Sequence, residues 1–128
     1  MRATTDDVIT FEGLTYVAES KGGRPQHKMG HLACFMGGLY ALGSKDAGDV
    51  SKEYMDLAKG VTNTCHEGYK RSASGIGPES MEFNSKVEAT AARAGERYYI
   101  LRPETVESYF YLWRLTKDQK YVRSKPPL

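Results

Sequence analysis

Residues 101–118, LRPETVESYFYLWRLTKD, constrain the fold more than any other stretch of the chain. Proline holds φ near the helical value and lacks the N–H that a first-turn residue leaves unpaired anyway, so Pro103 opens a helix. The same ring pushes the residue before it, Arg102, out of helical geometry. Glu104 and Glu107 follow three residues apart and share a face. Tyr109, Phe110, Tyr111 and Trp113 then make the helix apolar around much of its circumference. Such a helix is buried on more than one side. The pattern predicts a helix over 103–116 packed inside a larger all-helical body.

The remaining chain reads as further helices and connections. From His27 to Leu42 the sequence predicts a buried helix. Gly37 and Gly38 inside it point to close packing against a neighbour, because glycine costs a helix about 1 kcal/mol relative to alanine. A second helix is expected over 50–71, where Tyr54, Leu57, Ala58, Val61 and Cys65 recur at helical spacing. Gly75, Gly77 and Pro78 make SASGIGPESMEFNSK a loop. VEATAARAGERYYI is ambiguous between helix and extended chain. In residues 1–26, LTYVAES favours a strand and KGGRP a turn, so a short β-hairpin is expected there. KDQKYV resembles the start of another helix, cut off by RSKPPL. No internal repeat is evident. The fold class is all-α with a short hairpin near the N-terminus, in one unit spanning 1–128.

The chain has 128 residues, 40% hydrophobic and 27% charged, which suits one unit with a modest core. The net charge of +2 is spread along the chain, with no basic block of the kind that marks a nucleic-acid or membrane-surface site. The opening MRATTDDVIT lacks the apolar run of a signal peptide. The longest uncharged apolar stretch, residues 32–43, is shorter than the roughly 20 residues needed to span a bilayer. Any membrane anchor is therefore expected outside this chain.

Several side chains carry candidate chemistry. Cys34 and Cys65 are either buried apolar residues or, on adjacent antiparallel helices, a disulfide. His27 and His31 stand four apart, a spacing that can bring two imidazoles to one metal. The zinc-protease pattern needs a glutamate after the first histidine, however, and Lys28 stands there. The plain reading of His31 is a core or capping residue; another is a neutral hydrogen-bonding group at a pocket mouth. Glu104 and Glu107 could simply complement the helix dipole, at about 0.3–1 kcal/mol each. Yet Arg102 adjoins them, and a guanidinium orients a nearby carboxylate. Glu79, in GIGPE, follows a rigid Gly-Pro loop. Two glutamates from separate segments, each beside a proline, fit a glycosidase built on paired carboxylates.

LTYVAE, HKMGHLACFMGGLYALG, GIGPE and YYILRPETVESYFYLWRLTKDQKY together resemble the class I α-1,2-mannosidases, glycoside hydrolase family 47. They occur in that family's order and extend from about residue 12 to residue 121. KMGHLACF is closer to the Golgi-type branch than to the endoplasmic-reticulum branch. The resemblance implies part of an (αα)7 barrel and hydrolysis of terminal α-1,2-linked mannose from high-mannose N-glycans, with inversion. It also implies a calcium ion and a place in the secretory lumen, Golgi or endoplasmic reticulum. Residue by residue, it implies that Glu104 lies near calcium through water and helps activate the nucleophile, and that Glu79 is an acidic catalytic residue. Arg102 contacts the sugar, His31 lines the pocket, and Glu107 supports substrate binding. No residue here is implied as a direct metal ligand. Cys34 and Cys65 match the family's disulfide.

The family's upstream segments bearing another catalytic glutamate and an aspartate have no counterpart here. Neither does its downstream segment with a calcium-ligating threonine. The implication is a partial catalytic domain, inactive by itself. One alternative is a catalytically dead, lectin-like member that binds high-mannose glycans in quality control. Another is a helical-repeat interaction module, which would need the repeat that is not seen.

Overall fold

A computed structural model of the chain describes residues 8–11, 13–91 and 93–123. The N-terminal third is made of short antiparallel ladders. Strand β1 (Val8–Phe11) pairs with β2 (Leu14–Val17), and β3 (Glu19–Lys21) with β4 (Arg24–Gln26). The KGGRP turn joins the second pair: Gly22 and Gly23 both have positive φ, +60° and +75°, as a two-residue hairpin turn of this hand requires. Two hairpins thus stand where one was expected.

Strand β5 (Lys28–Gly30) pairs with β6 (Ser80–Glu82), from the segment expected to be all loop. This ladder corrects the predicted helix from His27. The chain runs as β5, then a 3₁₀ turn over His31–Cys34, and only then as α1 (Phe35–Gly43). The reason is long-range. The His31 N–H donates to the Glu79 carbonyl at 2.8 Å, continuing the β5–β6 ladder, so the backbone there is already committed. Helices α2 (Ser51–Lys70) and α3 (Glu104–Thr116) fall within a residue of their expected limits. Pro103 precedes the first helical residue, and its carbonyl accepts from the Glu107 N–H at 2.9 Å. Lys117, at φ +58°, ends α3, and the expected further helix is a 3₁₀ turn, Gln119–Tyr121. Residues 87–91 and 93–100 form bends, one isolated bridge and a 3₁₀ turn at Ala94–Glu96. Most of the RSKPPL tail lies outside the described residues.

Two buried clusters hold these parts together. One joins the ladders to α2 through Tyr16, Met29, Val61, Met81 and Phe83. Tyr16 and Phe83 stack face to face, centroids 3.8 Å apart. Inside this cluster the Cys34–Cys65 disulfide links the 3₁₀ turn to α2, with Cα atoms 6.0 Å apart. The other cluster is the three-helix junction of Tyr40, Ala41, Ala58 and Leu112, closed by Tyr121. The glycine pair behaves as expected. A Cβ on Gly37 would lie 2.1 Å from Thr62 Oγ1, and one on Gly38 would lie 2.9 Å from Tyr111 Cδ2.

The aromatic helix is not enclosed on every side by this chain. Thr105, Ser108 and Leu112 are buried, whereas Val106 and Phe110 are more than half exposed. No helix among the described residues is long and apolar enough to cross a membrane.

Candidate active site

The β5–β6 register sets the site's first two members. Gly30 lies opposite Ser80, so the next pair outward is His31 and Glu79, joined through their backbones. The N-terminus of α3 supplies the others. Arg102 donates from Nε to Glu79 Oε2 at 2.6 Å and from Nη2 to Oε1 at 2.8 Å. This is a bidentate fork, which fixes direction as well as distance. It raises the guanidinium further above its ordinary value, chiefly through the hydrogen bond to Glu79. The Glu79 N–H donates to the Glu96 carbonyl, and Glu96 pairs with Lys28, whose ammonium holds that carboxyl below the usual range.

Glu104 turns away from its sequence neighbour Arg102 and toward His31, with 3.1 Å between Glu104 Oε2 and His31 Nδ1. His31 is buried, at 1% exposure, and its Nε2 lies 2.6 Å from the Tyr69 hydroxyl and 3.5 Å from Thr105 Oγ1. Glu104 is mostly covered, its side chain 16% exposed. Tyr69 and Tyr99 pack against the His31 ring, with centroids 5.7 and 5.9 Å from it, and the Tyr99 hydroxyl donates to the Arg102 carbonyl.

The structure therefore brings together Glu79, Arg102, Glu104 and His31, four of the five residues singled out for the site. Glu107 is exposed and lies outside this hydrogen-bonded cluster. His27 goes elsewhere. It is exposed, and its Nδ1 meets the Tyr16 hydroxyl at 2.7 Å. Strand β5 runs between the two histidines, so the one-face geometry of a helical pair does not arise.

Tyr69, Tyr99 and Thr105 were missed in the sequence reading. Tyr69 carried a usable signal: it lies four residues beyond Cys65, on the face of α2 expected to be buried. Ser108 was missed as well. It accepts from the Gly38 N–H at 2.9 Å and donates to the Cys34 carbonyl at 2.6 Å, so α3 caps the start of α1.

Among the described residues no group of three or more His, Cys, Asp or Glu is arranged to hold a metal. Glu104 offers one carboxylate, so these residues do not by themselves make the oxygen cage that calcium takes. A cavity of about 380 Å³ lies behind the Gly-Pro loop, lined by Arg71, Pro78, Thr90 and Arg97 among others, but by none of the predicted site residues.

The sequence profile described as Glycosyl hydrolase family 47 matches residues 1–125. The chain belongs to glycosyl hydrolase family 47. It is 59% identical over 110 residues to mannosyl-oligosaccharide alpha-1,2-mannosidase IA of Drosophila melanogaster, a match covering 85% of this chain and 16% of that protein. It is 41% identical over 112 residues to the endoplasmic reticulum mannosyl-oligosaccharide 1,2-alpha-mannosidase of Rattus norvegicus, covering 84% of this chain and 17% of that one. The fold is similar to the solved alpha-1,2-mannosidase from Trichoderma reesei, with TM-score 0.70 and 31% identity over 84% of this chain and 25% of that one. The chain thus spans less than a fifth of the length of the Drosophila and rat relatives and a quarter of the Trichoderma chain.

Proposed function

We propose that this chain is part of a family 47 catalytic domain, an (αα)7 barrel, that hydrolyses terminal α-1,2-linked mannose on high-mannose N-glycans with inversion. The observation that carries the reading is the pair of held groups at the start of α3: Arg102 in the Glu79 fork, and Glu104 against buried His31.

An inverting glycosidase needs one carboxylate to activate water on the face of the sugar opposite the leaving group, and an acid about 6.5–9.5 Å away. Glu104 suits the first task. Among the described residues only its Oε2 is engaged, which leaves Oε1 to accept a proton from water. Arg102 can donate to sugar hydroxyls, and Glu79 is the acidic partner that aims it. His31 is assigned to the wall of the sugar pocket that the complete barrel would enclose, and exposed Glu107, one turn further along α3, to substrate binding. The acid that protonates the leaving oxygen is assigned to a segment outside this chain.

Calcium is the ion this reading implies. It would supply positive charge beside the attacking water, with Glu104 facing it through water and its other oxygen donors coming from outside the described residues. The higher identity to the type IA relative than to the endoplasmic reticulum relative favours a Golgi-type member in the secretory lumen. A disulfide fits that oxidising compartment. Any membrane anchor is assigned to a segment outside this chain.

The test is a chimera in which this chain replaces the matched 110 residues of the Drosophila relative. It should release mannose from a Man-α-1,2-Man substrate, and Glu104→Gln should abolish release. A folded chimera that binds high-mannose glycan without turnover would instead establish the lectin-like alternative.

A further inference from the structure

We infer that Tyr69, on α2, is a positioning residue that aims the Glu104 carboxylate through the His31 ring. The inference rests on the role proposed for Glu104 and adds a residue from a third element. An ionised carboxylate can only accept, so the contact between Glu104 Oε2 and His31 Nδ1 requires the proton on Nδ1. In the neutral ring Nε2 then carries a lone pair and, buried, needs a donor. The Tyr69 hydroxyl, at 2.6 Å, provides it; Thr105 Oγ1 is at the limit of reach, at 3.5 Å. With the ring neutral, the chain Tyr69–His31–Glu104 has one direction of donation, ending on the carboxylate.

The phenol is itself held. Burial raises it well above the ordinary tyrosine value, which keeps the proton on the oxygen that must donate. Its ring occupies the space beside Gly77, where a Cβ would lie 2.4 Å from Tyr69 Cε2. Gly77 is two residues before Glu79, so the loop that carries one half of the site seats the tyrosine that orients the other half. Tyr99 touches both rings and binds the Arg102 carbonyl, which closes the circuit between the two halves.

Tyr69→Phe keeps the ring and removes only the hydroxyl. With ¹⁵N-labelled histidine in the whole chain, His31 should appear as a single neutral tautomer protonated on Nδ1, with Nε2 shifted as a hydrogen-bond acceptor. In Tyr69→Phe the Nε2 resonance should move to the free-acceptor position, and Gly77→Ala, which displaces the ring, should move it the same way. A tautomer mixture in the unsubstituted chain, or an Nε2 resonance unmoved by Tyr69→Phe, overturns the inference.

In the Drosophila chimera Tyr69→Phe should lower kcat about 10–100-fold, as loss of an outer-shell partner does. KM should change less than twofold, because the sugar contacts are untouched. A KM increase at unchanged kcat also overturns the inference. A chimera without any turnover overturns the mannosidase reading and with it the catalytic consequence, whereas the nuclear magnetic resonance result still decides the Tyr69–His31 contact.

Discussion

Replacing Gly37 by alanine should destabilise the chain although alanine is the better helix former. At an unconstrained helical position the change is worth about 1 kcal/mol in favour of alanine. Here the new Cβ would lie 2.1 Å from Thr62 Oγ1, and 3.1 and 3.2 Å from Ser108 Oγ and Cβ. Thr62 is buried and β-branched, with few rotamers into which to retreat. Overpacking of this kind costs about 1–3 kcal/mol. If α3 yields instead, it stretches the two Ser108 hydrogen bonds to Gly38 and Cys34, at about 1 kcal/mol each. A 2.1 Å approach to a buried side chain belongs at the upper end of the overpacking range, about 3 kcal/mol, and setting the helix gain against it leaves a net loss of about 2 kcal/mol. In urea, with a slope of about 2 kcal/mol/M, that is a fall of about 1 M in the unfolding midpoint. The single tryptophan, Trp113 on α3, provides the fluorescence signal.

Two controls tie the effect to its cause. At Gly95 a Cβ would meet nothing within 4 Å, so Gly95→Ala should leave the midpoint unchanged or raise it. Among the described residues the buried Thr62 Oγ1 has no hydrogen-bond partner, so Thr62→Ala removes the clashing atom at little polar cost. Gly37→Ala combined with Thr62→Ala should then be more stable than Gly37→Ala alone, a coupling of about 1 kcal/mol or more. A Gly37→Ala chain as stable as the parent, or strictly additive effects in the double variant, would refute the close-packing account.

Other outcomes follow from the same geometry. Cys34→Ala with Cys65→Ala should cost about 3–4 kcal/mol, the chain-entropy value for cysteines 31 residues apart, read by the same unfolding curve; an unchanged midpoint contradicts it. Ser108→Ala leaves the Gly38 N–H without its acceptor and should cost about 1–3 kcal/mol, with a loss below 0.5 kcal/mol as the contrary result. The 128-residue chain by itself should neither release mannose nor bind calcium at micromolar concentration, and calorimetry showing such affinity would mean the described carboxylates suffice.

What the sequence disclosed was mainly local. Pro103 and the aromatic run placed α3 to within a residue, and the apolar spacing from Tyr54 to Cys65 placed α2 equally well, because both signals act over one or two helical turns. KGGRP named its own turn. The segment before α1 was misread because its conformation is decided 50 residues away: β6 recruits Lys28–Gly30 into a ladder that no pattern within HKMGH announces. The candidate site divided along the same line. The sequence singled out Glu79, Arg102, Glu104 and His31, but not the partners that each would meet. Adjacency suggested that Arg102 serves Glu104, whereas the guanidinium reaches across to Glu79 and the carboxylate goes to His31. Only the ladder register and the docking of α3 on α1 determine that exchange.

The disulfide belongs to the candidate site as much as to the core. Cys34 is three residues beyond His31, and Cys65 is four residues, about one helical turn, before Tyr69. The bond therefore fixes the two backbone segments whose side chains meet at 2.6 Å. The Cys34 carbonyl also accepts from Ser108, one turn along α3 from Glu104. One covalent link and one serine thus connect the three elements that deliver Tyr69, His31 and Glu104. A hydrogen-bond chain of this kind tolerates little drift, since a shift of 1 Å at either end breaks it. In a segment whose strands are three or four residues long, the ladders alone provide little resistance to such drift. The cross-link lies where that resistance is needed, directly beneath the histidine that both Tyr69 and Glu104 must find in one orientation.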